Sequence, residues 1–186
     1  MAPAIDGTRL LTALDELAQI GALEGGGCAR LALSDEDKAG RDLVVGWMKA
    51  LGLEVQIDAI GNVLGLRAGR EKLAPIMTGS HIDTVRTGGR YDGNYGVLAG
   101  LEVVRALNAA KVTTRRPIAV AFFTNEEGAR FQPDMMGSLV YGPHRRAAIR
   151  VACLTADGGT PCSERAGAHL PAETAQCARD RTVRRA

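Results

Sequence analysis

Pro117-Ile118-Ala119-Val120-Ala121-Phe122-Phe123 is an unbroken apolar run, and Thr124-Asn125-Glu126-Glu127-Gly128 follows it directly. Such a run suits a strand covered on both faces. The two glutamates then stand at the carboxyl end of a strand, where α/β sheets place their sites. Just upstream, Gly96 to Ala110 reads as a helix, with Leu98, Leu101, Val104 and Leu107 facing inward. Before it, Pro75 to Ser80 reads as a short strand, followed by a Gly-rich loop from Thr87 to Gly93. Strand, helix, strand in that order predicts an α/β domain with a mixed, largely parallel central sheet.

The elements upstream fit the same plan. Leu10, Leu14 and Leu17 make an apolar stripe on a helix expected from about Thr8 to Ile20. A second helix is expected to begin near Ser34, which with Asp37 resembles a capping box. Leu43, Trp47 and Leu51 continue its apolar face, and Gly52 ends it. From Leu53 the period drops to two: Leu53, Val55 and Ile57 alternate with Glu54, Gln56 and Asp58. Asn62 to Leu66 reads as another short strand. Gly25-Gly26-Gly27 has no strand before it and no Gly-Lys-Ser/Thr after it, so it reads as a loop and not a phosphate cradle.

Composition narrows the function classes. A net charge of +2 is too small to indicate a nucleic-acid partner. No stretch of 18 apolar residues occurs, so no membrane span is expected. Met1 to Gly7 lacks the basic-then-apolar order of an export signal, which makes a cytoplasmic location the expectation. In that setting Cys28, Cys153, Cys162 and Cys177 are expected to be reduced thiols. No CxxC pair occurs, so a structural zinc knuckle is not expected.

The chain changes character near Gly142. Residues 143–186 contain no Lys, Phe, Tyr, Trp or Met, and their few large apolar residues follow neither a helical nor a strand period. Two domains of unlike kind are therefore expected: 1–142 as catalytic scaffold, and 143–186 as an irregular tail. The tail reads as disordered or, better matching its Arg/Ala/Pro/Cys texture, as the product of a shifted reading frame. The coding DNA tests the latter: a sensible continuation should exist in another frame.

Three polar clusters carry the chemistry. Ser80-His81-Ile82-Asp83 closes a strand, and period two puts His81 and Asp83 on one side. A neutral imidazole is a metal ligand, and a nearby carboxylate can fix its tautomer. Gly88-Gly89-Arg90-Tyr91-Asp92-Gly93 projects a carboxylate from a tight loop, where its two oxygens could bridge two cations. Glu126 and Glu127 are adjacent, so on extended backbone they point in different directions. One can bind a metal while the other takes a proton from water. Together the clusters offer a nitrogen ligand, a bridging carboxylate, a terminal carboxylate and a spare base, the ligand types of zinc, manganese and similar divalent ions.

Gly79-Ser80-His81-Ile82-Asp83-Thr84-Val85 with Gly88-Gly89-Arg90-Tyr91-Asp92-Gly93 resembles the first signature of the M20-type metallo-amidohydrolases. Thr124 to Phe131, followed by Met135-Met136-Gly137-Ser138, resembles the second, in its hydantoinase/carbamoylase branch. That branch holds N-carbamoyl-L-amino-acid hydrolases and allantoate amidohydrolases. Asn62 fits as well, and the resemblance covers about Leu10 to Gly142.

The resemblance implies an incomplete zinc-exopeptidase-like three-layer α/β/α domain. It implies two divalent metal ions, of zinc, manganese, cobalt or nickel. His81 would bind one, Asp92 would bridge both, and Glu127 would bind the other. Glu126 would be the catalytic base, and Asp83 would orient His81 without touching a metal. The substrate would be a small ureido or amide compound cleaved at a non-peptide C–N bond. The family is homodimeric, but the inserted dimerisation domain is missing here. Two further histidine ligands belong to the missing parts, and neither His144 nor His169 matches their segments. Two rival readings stay open: a metallo-aminopeptidase or dipeptidase on the same fold, and a catalytically inactive remnant.

Overall fold

The computed structural model describes residues 2–142. The readings made for residues 143–186, including His144, His169 and three of the cysteines, lie outside the described residues.

Among the described residues, four helices and four strands form: α1 (Gly7–Ala18), α2 (Asp35–Ala50), β1 (Glu54–Ile57), β2 (Val63–Arg67), β3 (Ile76–His81), α3 (Asn94–Ala109), β4 (Ile118–Phe123) and α4 (Met136–Tyr141). Helix starts follow side-chain chemistry. The Asp6 carboxylate accepts from Arg9 N, and the Ser34 hydroxyl from Asp37 N. Asp35, Glu36 and Asp37 in the first turn of α2, and Lys49 in its last, complement the helix dipole. The expected capping box is only half made. The Asp37 side chain does not return to Ser34; it accepts from Leu33 N at 2.7 Å and pairs with Arg41. The side chain reaches back one residue further, to Leu33, and the buried Arg41 guanidinium takes the same oxygen.

The sheet order is β1-β2-β4-β3. The α/β class and mixed sheet are as expected, but "largely parallel" needs correction: β1–β2 and β2–β4 are antiparallel, and only β3–β4 is parallel. The reason is connection length. Residues 58–62 joining β1 to β2 are too few for the crossover that parallel strands require. The β3–α3–β4 unit supplies that crossover, and its strands do run parallel.

Helices α1, α2 and α3 share one core with the sheet. Leu14, Leu17, Val44, Met48, Val97 and Val104 are fully buried there, with Val120 and Phe122 of β4. Phe123 points the other way, by strand alternation, and its ring meets Tyr141 of α4 at 5.5 Å. A full third layer does not form among the described residues. A smaller cluster, Ala32, Leu33, Phe131 and Met136, lies under the loop after β4. No helix among the described residues is long and apolar enough to cross a membrane.

Candidate functional site

The β3–β4 register assembles the site. In that parallel pair His81 lies opposite Phe123, so both strands end together. The loop after β3 and the Thr124–Gly128 turn therefore leave the sheet side by side.

His81 is 4% exposed, and its Nδ1 lies 2.9 Å from the backbone carbonyl of Asp83. A carbonyl only accepts, so a neutral imidazole here carries its proton on Nδ1 and leaves the Nε2 lone pair free. Nε2 faces Glu126 Oε2 at 3.3 Å and Asp92 Oδ1 at 4.0 Å. The approach of the loop is steric as well as polar. Gly93 adopts φ 65°, and a Cβ there would come 2.5 Å from the His81 ring, so only glycine lets Asp92 sit this close.

Asp83 is 1% exposed, and its carboxylate does something the sequence did not suggest. It stands 4.0 Å from His81 Nδ1 and accepts the backbone N–H groups of Glu126 and Glu127, each at 3.3 Å. The His81 ring is held by the Asp83 backbone, while the Asp83 side chain fixes the two-glutamate turn. Burial, reinforced by the charge of Asp37, pushes the Asp83 carboxyl up to about 6; His81, Arg41 and the Glu126 amide oppose it. Burial also raises Glu127, helped by Asp92 and Glu126 and opposed by His81.

The turn after β4 is not extended, as expected from sequence, but kinked. Asn125 takes the left-handed conformation (φ 53°), and its Nδ2 donates to Phe131 O and Pro133 O at 2.9 and 3.1 Å. Buried Asn62 holds the same turn from β2. Its Oδ1 accepts from Thr124 N at 3.0 Å, and its Nδ2 donates to Gly137 O and Asp58 Oδ2, both at 2.9 Å. Arg41 completes the support: Nε donates to Asp37 at 2.8 Å, Nη1 to Gly61 O at 2.7 Å and Nη2 to Thr124 Oγ1 at 3.2 Å. Sequence reading missed Arg41 and Arg30, both buried, because an arginine with no visible partner reads as surface. Arg30 carried one signal, its place inside the apolar stretch Ala29 to Leu33, whereas Arg41 stands among Asp37, Lys38 and Asp42, where nothing local marks it.

The structure brings His81, Asp92, Glu126 and Glu127 near one another at the strand exits. Three acceptors, the Nε2 lone pair and two carboxylates, converge with no donor between them. That donor set fits a divalent cation. It is not a closed coordination shell: no three His, Cys, Asp or Glu side chains among the described residues are arranged to hold an ion by themselves.

This is an α/β protein with an imidazole–carboxylate centre at the carboxyl ends of parallel strands. The family model for peptidase family M20/M25/M40 matches residues 77–169, half of the 186 residues, and the chain belongs to that family. It is 45% identical over 135 residues to an N-carbamoyl-L-amino acid amidohydrolase of Geobacillus stearothermophilus, covering 72% of this chain and 33% of that one. It is 37% identical over 135 residues to a ureidoglycolate hydrolase of Oryza sativa, covering 72% and 28% respectively. A hydantoinase/carbamoylase family amidase from Burkholderia ambifaria superposes with a TM-score of 0.83 at 45% identity, covering 91% of this chain and 42% of that one. The chain spans about a third of the length of the curated relatives it matches.

Proposed function

We propose that this chain carries the site of a metal-dependent hydrolase for non-peptide C–N bonds, with an N-carbamoyl-L-amino acid, allantoate or similar ureido compound as substrate. The convergence of Glu126 and Asp92 on the His81 lone pair carries the reading. The names of the relatives support the substrate class.

His81, Asp92 and Glu127 would hold two divalent ions, of zinc, manganese, cobalt or nickel. Bound ions supply Lewis acidity, which acidifies water and polarises a carbonyl. Each remaining role falls to a residue of the chain. Glu126, on the flank of His81, takes a proton from the attacking water and returns it to the leaving nitrogen. Asp83 holds the amides of Glu126 and Glu127, so that the base and the ligand keep separate directions. The Asp83 backbone carbonyl fixes the His81 tautomer that presents Nε2. A reducing, cytoplasmic setting belongs to this reading.

The deciding experiment is metal content and affinity of the purified chain beside Glu127→Ala. Two divalent ions per chain, reduced by the substitution, are expected. Weak binding indifferent to Glu127 would overturn the proposal and leave the inactive-remnant reading. A panel of ureido compounds against dipeptides then separates amidohydrolase from peptidase.

A further inference from the structure

Arg30 is fully buried, and among the described residues no carboxylate hydrogen-bonds it. Its partners lie in three separate parts of the chain. Nε donates to Ile82 O at 2.8 Å. Nη1 donates to Leu17 O and Ile20 O, at and beyond the end of α1, at 3.0 and 2.9 Å, and to Cys28 Sγ at 3.4 Å. Nη2 donates to Asn94 Oδ1, at the start of α3, at 2.9 Å. The Arg30 backbone grips the same region: its N–H donates to Thr84 Oγ1, and its carbonyl accepts from Thr84 N, both at 2.8 Å.

Two of these partners flank the centre. Ile82 lies between His81 and Asp83. Asn94 lies two residues after Asp92, and its Nδ2 reaches back to Arg90 O at 3.2 Å, closing the loop that carries Asp92. The Asp92 side chain is itself 74% exposed. Its position therefore depends on how that loop is anchored. The carbonyls at the end of α1 carry partial negative charge, which favours the cation that burial disfavours.

We propose that Arg30 is a positioning residue of the centre, whose planar guanidinium sets the spacing between His81 and Asp92 by holding the Ile82 carbonyl and the Asn94 side chain on one fork. A merely cohesive arginine would tie helices together without touching both ends of the loop after β3. Lysine keeps the charge but has no fork, so it cannot span the two anchors. The part of the test that uses metal rests on the function proposed above; the other part does not.

The experiment compares Arg30→Lys, Gly40→Ala and, as control, Arg9→Met in the full chain. A Cβ at Gly40 would come 2.7 Å from Arg30 Cδ and 3.2 Å from Nε, so Gly40→Ala shifts the fork without removing it. Arg9→Met cuts a remote tie between α1 and α3. The first readout is the imidazole ring-nitrogen spectrum of the metal-free chain at fixed pH. The second is zinc affinity. Arg30→Lys is expected to replace the single His81 tautomer with a mixture and to weaken zinc binding about tenfold. Gly40→Ala is expected to do the same to a smaller extent, and it decides alone if Arg30→Lys does not fold. Arg9→Met is expected to lower thermal stability and change neither readout. Wild-type ring spectra in both Arg30→Lys and Gly40→Ala would overturn the proposal. If the parent chain binds no zinc through Glu127, the functional proposal fails, and the ring spectra still decide the role of Arg30.

Discussion

Glu102 and Asp83 are each 1% exposed, yet they sit in opposite electrostatic surroundings. Glu102, on α3, receives Arg9 Nε at 3.0 Å and Nη2 at 2.5 Å, Arg105 Nη1 at 3.4 Å and Asp6 N at 3.0 Å. Burial alone would raise its pKa, but the Arg9 hydrogen bonds, the Asp6 amide and both arginine charges hold the carboxyl below its ordinary value. Asp83 receives only two amides, and burial with a neighbouring acid drives it upward. The clamp between α1 and α3 is charge-matched. The strand exits carry excess acid. One region is arranged for cohesion; the other gathers acid, and the proposed function would put a cation there.

The sharpest test of that contrast is Glu126→Gln. On the function proposed above, hydrolysis of an N-carbamoyl-L-amino acid should fall by roughly 10²–10⁴-fold, the usual weight of a general base. The melting temperature of the metal-free chain should hold or rise, because one repelling charge is gone. A clear fall in melting temperature would place Glu126 among the supports of the fold and break the comparison.

Arg41→Met tests the boundary between the regions. It leaves the Asp37 carboxylate buried without its 2.8 Å partner and releases Thr124. A loss of roughly 3–5 kcal/mol in urea unfolding is expected, since an orphaned buried charge is costly. A loss no larger than that of an exposed pair would show that water or another group takes over the partner's role.

Acid titration separates the two carboxylates by sign. The folded pKa of Glu102 is depressed, so its contribution is present above the ordinary value of 4.5 and is lost as pH falls through the folded value. Asp83 is raised from 3.8 to about 6, so the metal-free fold favours its protonated form and loses stability as pH rises across that interval. Glu102→Gln should flatten the melting profile on the acid side. Asp83→Asn should flatten it between those two values. The reverse pattern would exchange the two environments. The smallest effect belongs to Arg115→Ala. Its pair with Glu71 is 2.9 Å long, but the side chains are 70% and 48% exposed, and removal should cost less than about 1 kcal/mol by the same unfolding measurement.

Much of the fold was legible because its signals are local. The Leu10, Leu14 and Leu17 stripe gave α1, and the apolar run before Thr124 gave a strand buried along its length. The antiparallel β1–β2 pair was also within reach, since a five-residue connection cannot cross over. Other features were hidden by their nature. The second role of Asp37 depends on Arg41 one helical turn away, and competition between two partners is not written in spacing. The left-handed kink at Asn125 is sustained by carbonyls six and eight residues downstream, Phe131 O and Pro133 O, so alternation along the strand could not foresee it.

The sequence by itself determined the chemistry available: the His81 imidazole, the carboxylates of neighbouring motifs, and the strand ends that present them. Ligand type and backbone period belong to single residues and short windows, and they survive without a tertiary context. Only the tertiary structure decided that His81 and the Glu126–Glu127 turn share one place, through the parallel register of β3 against β4. It also decided that Asp83 serves those glutamates and that two arginines lie buried behind the site. Strand register and burial are set by residues far apart in the chain, and a charge discloses its role only when its partner arrives.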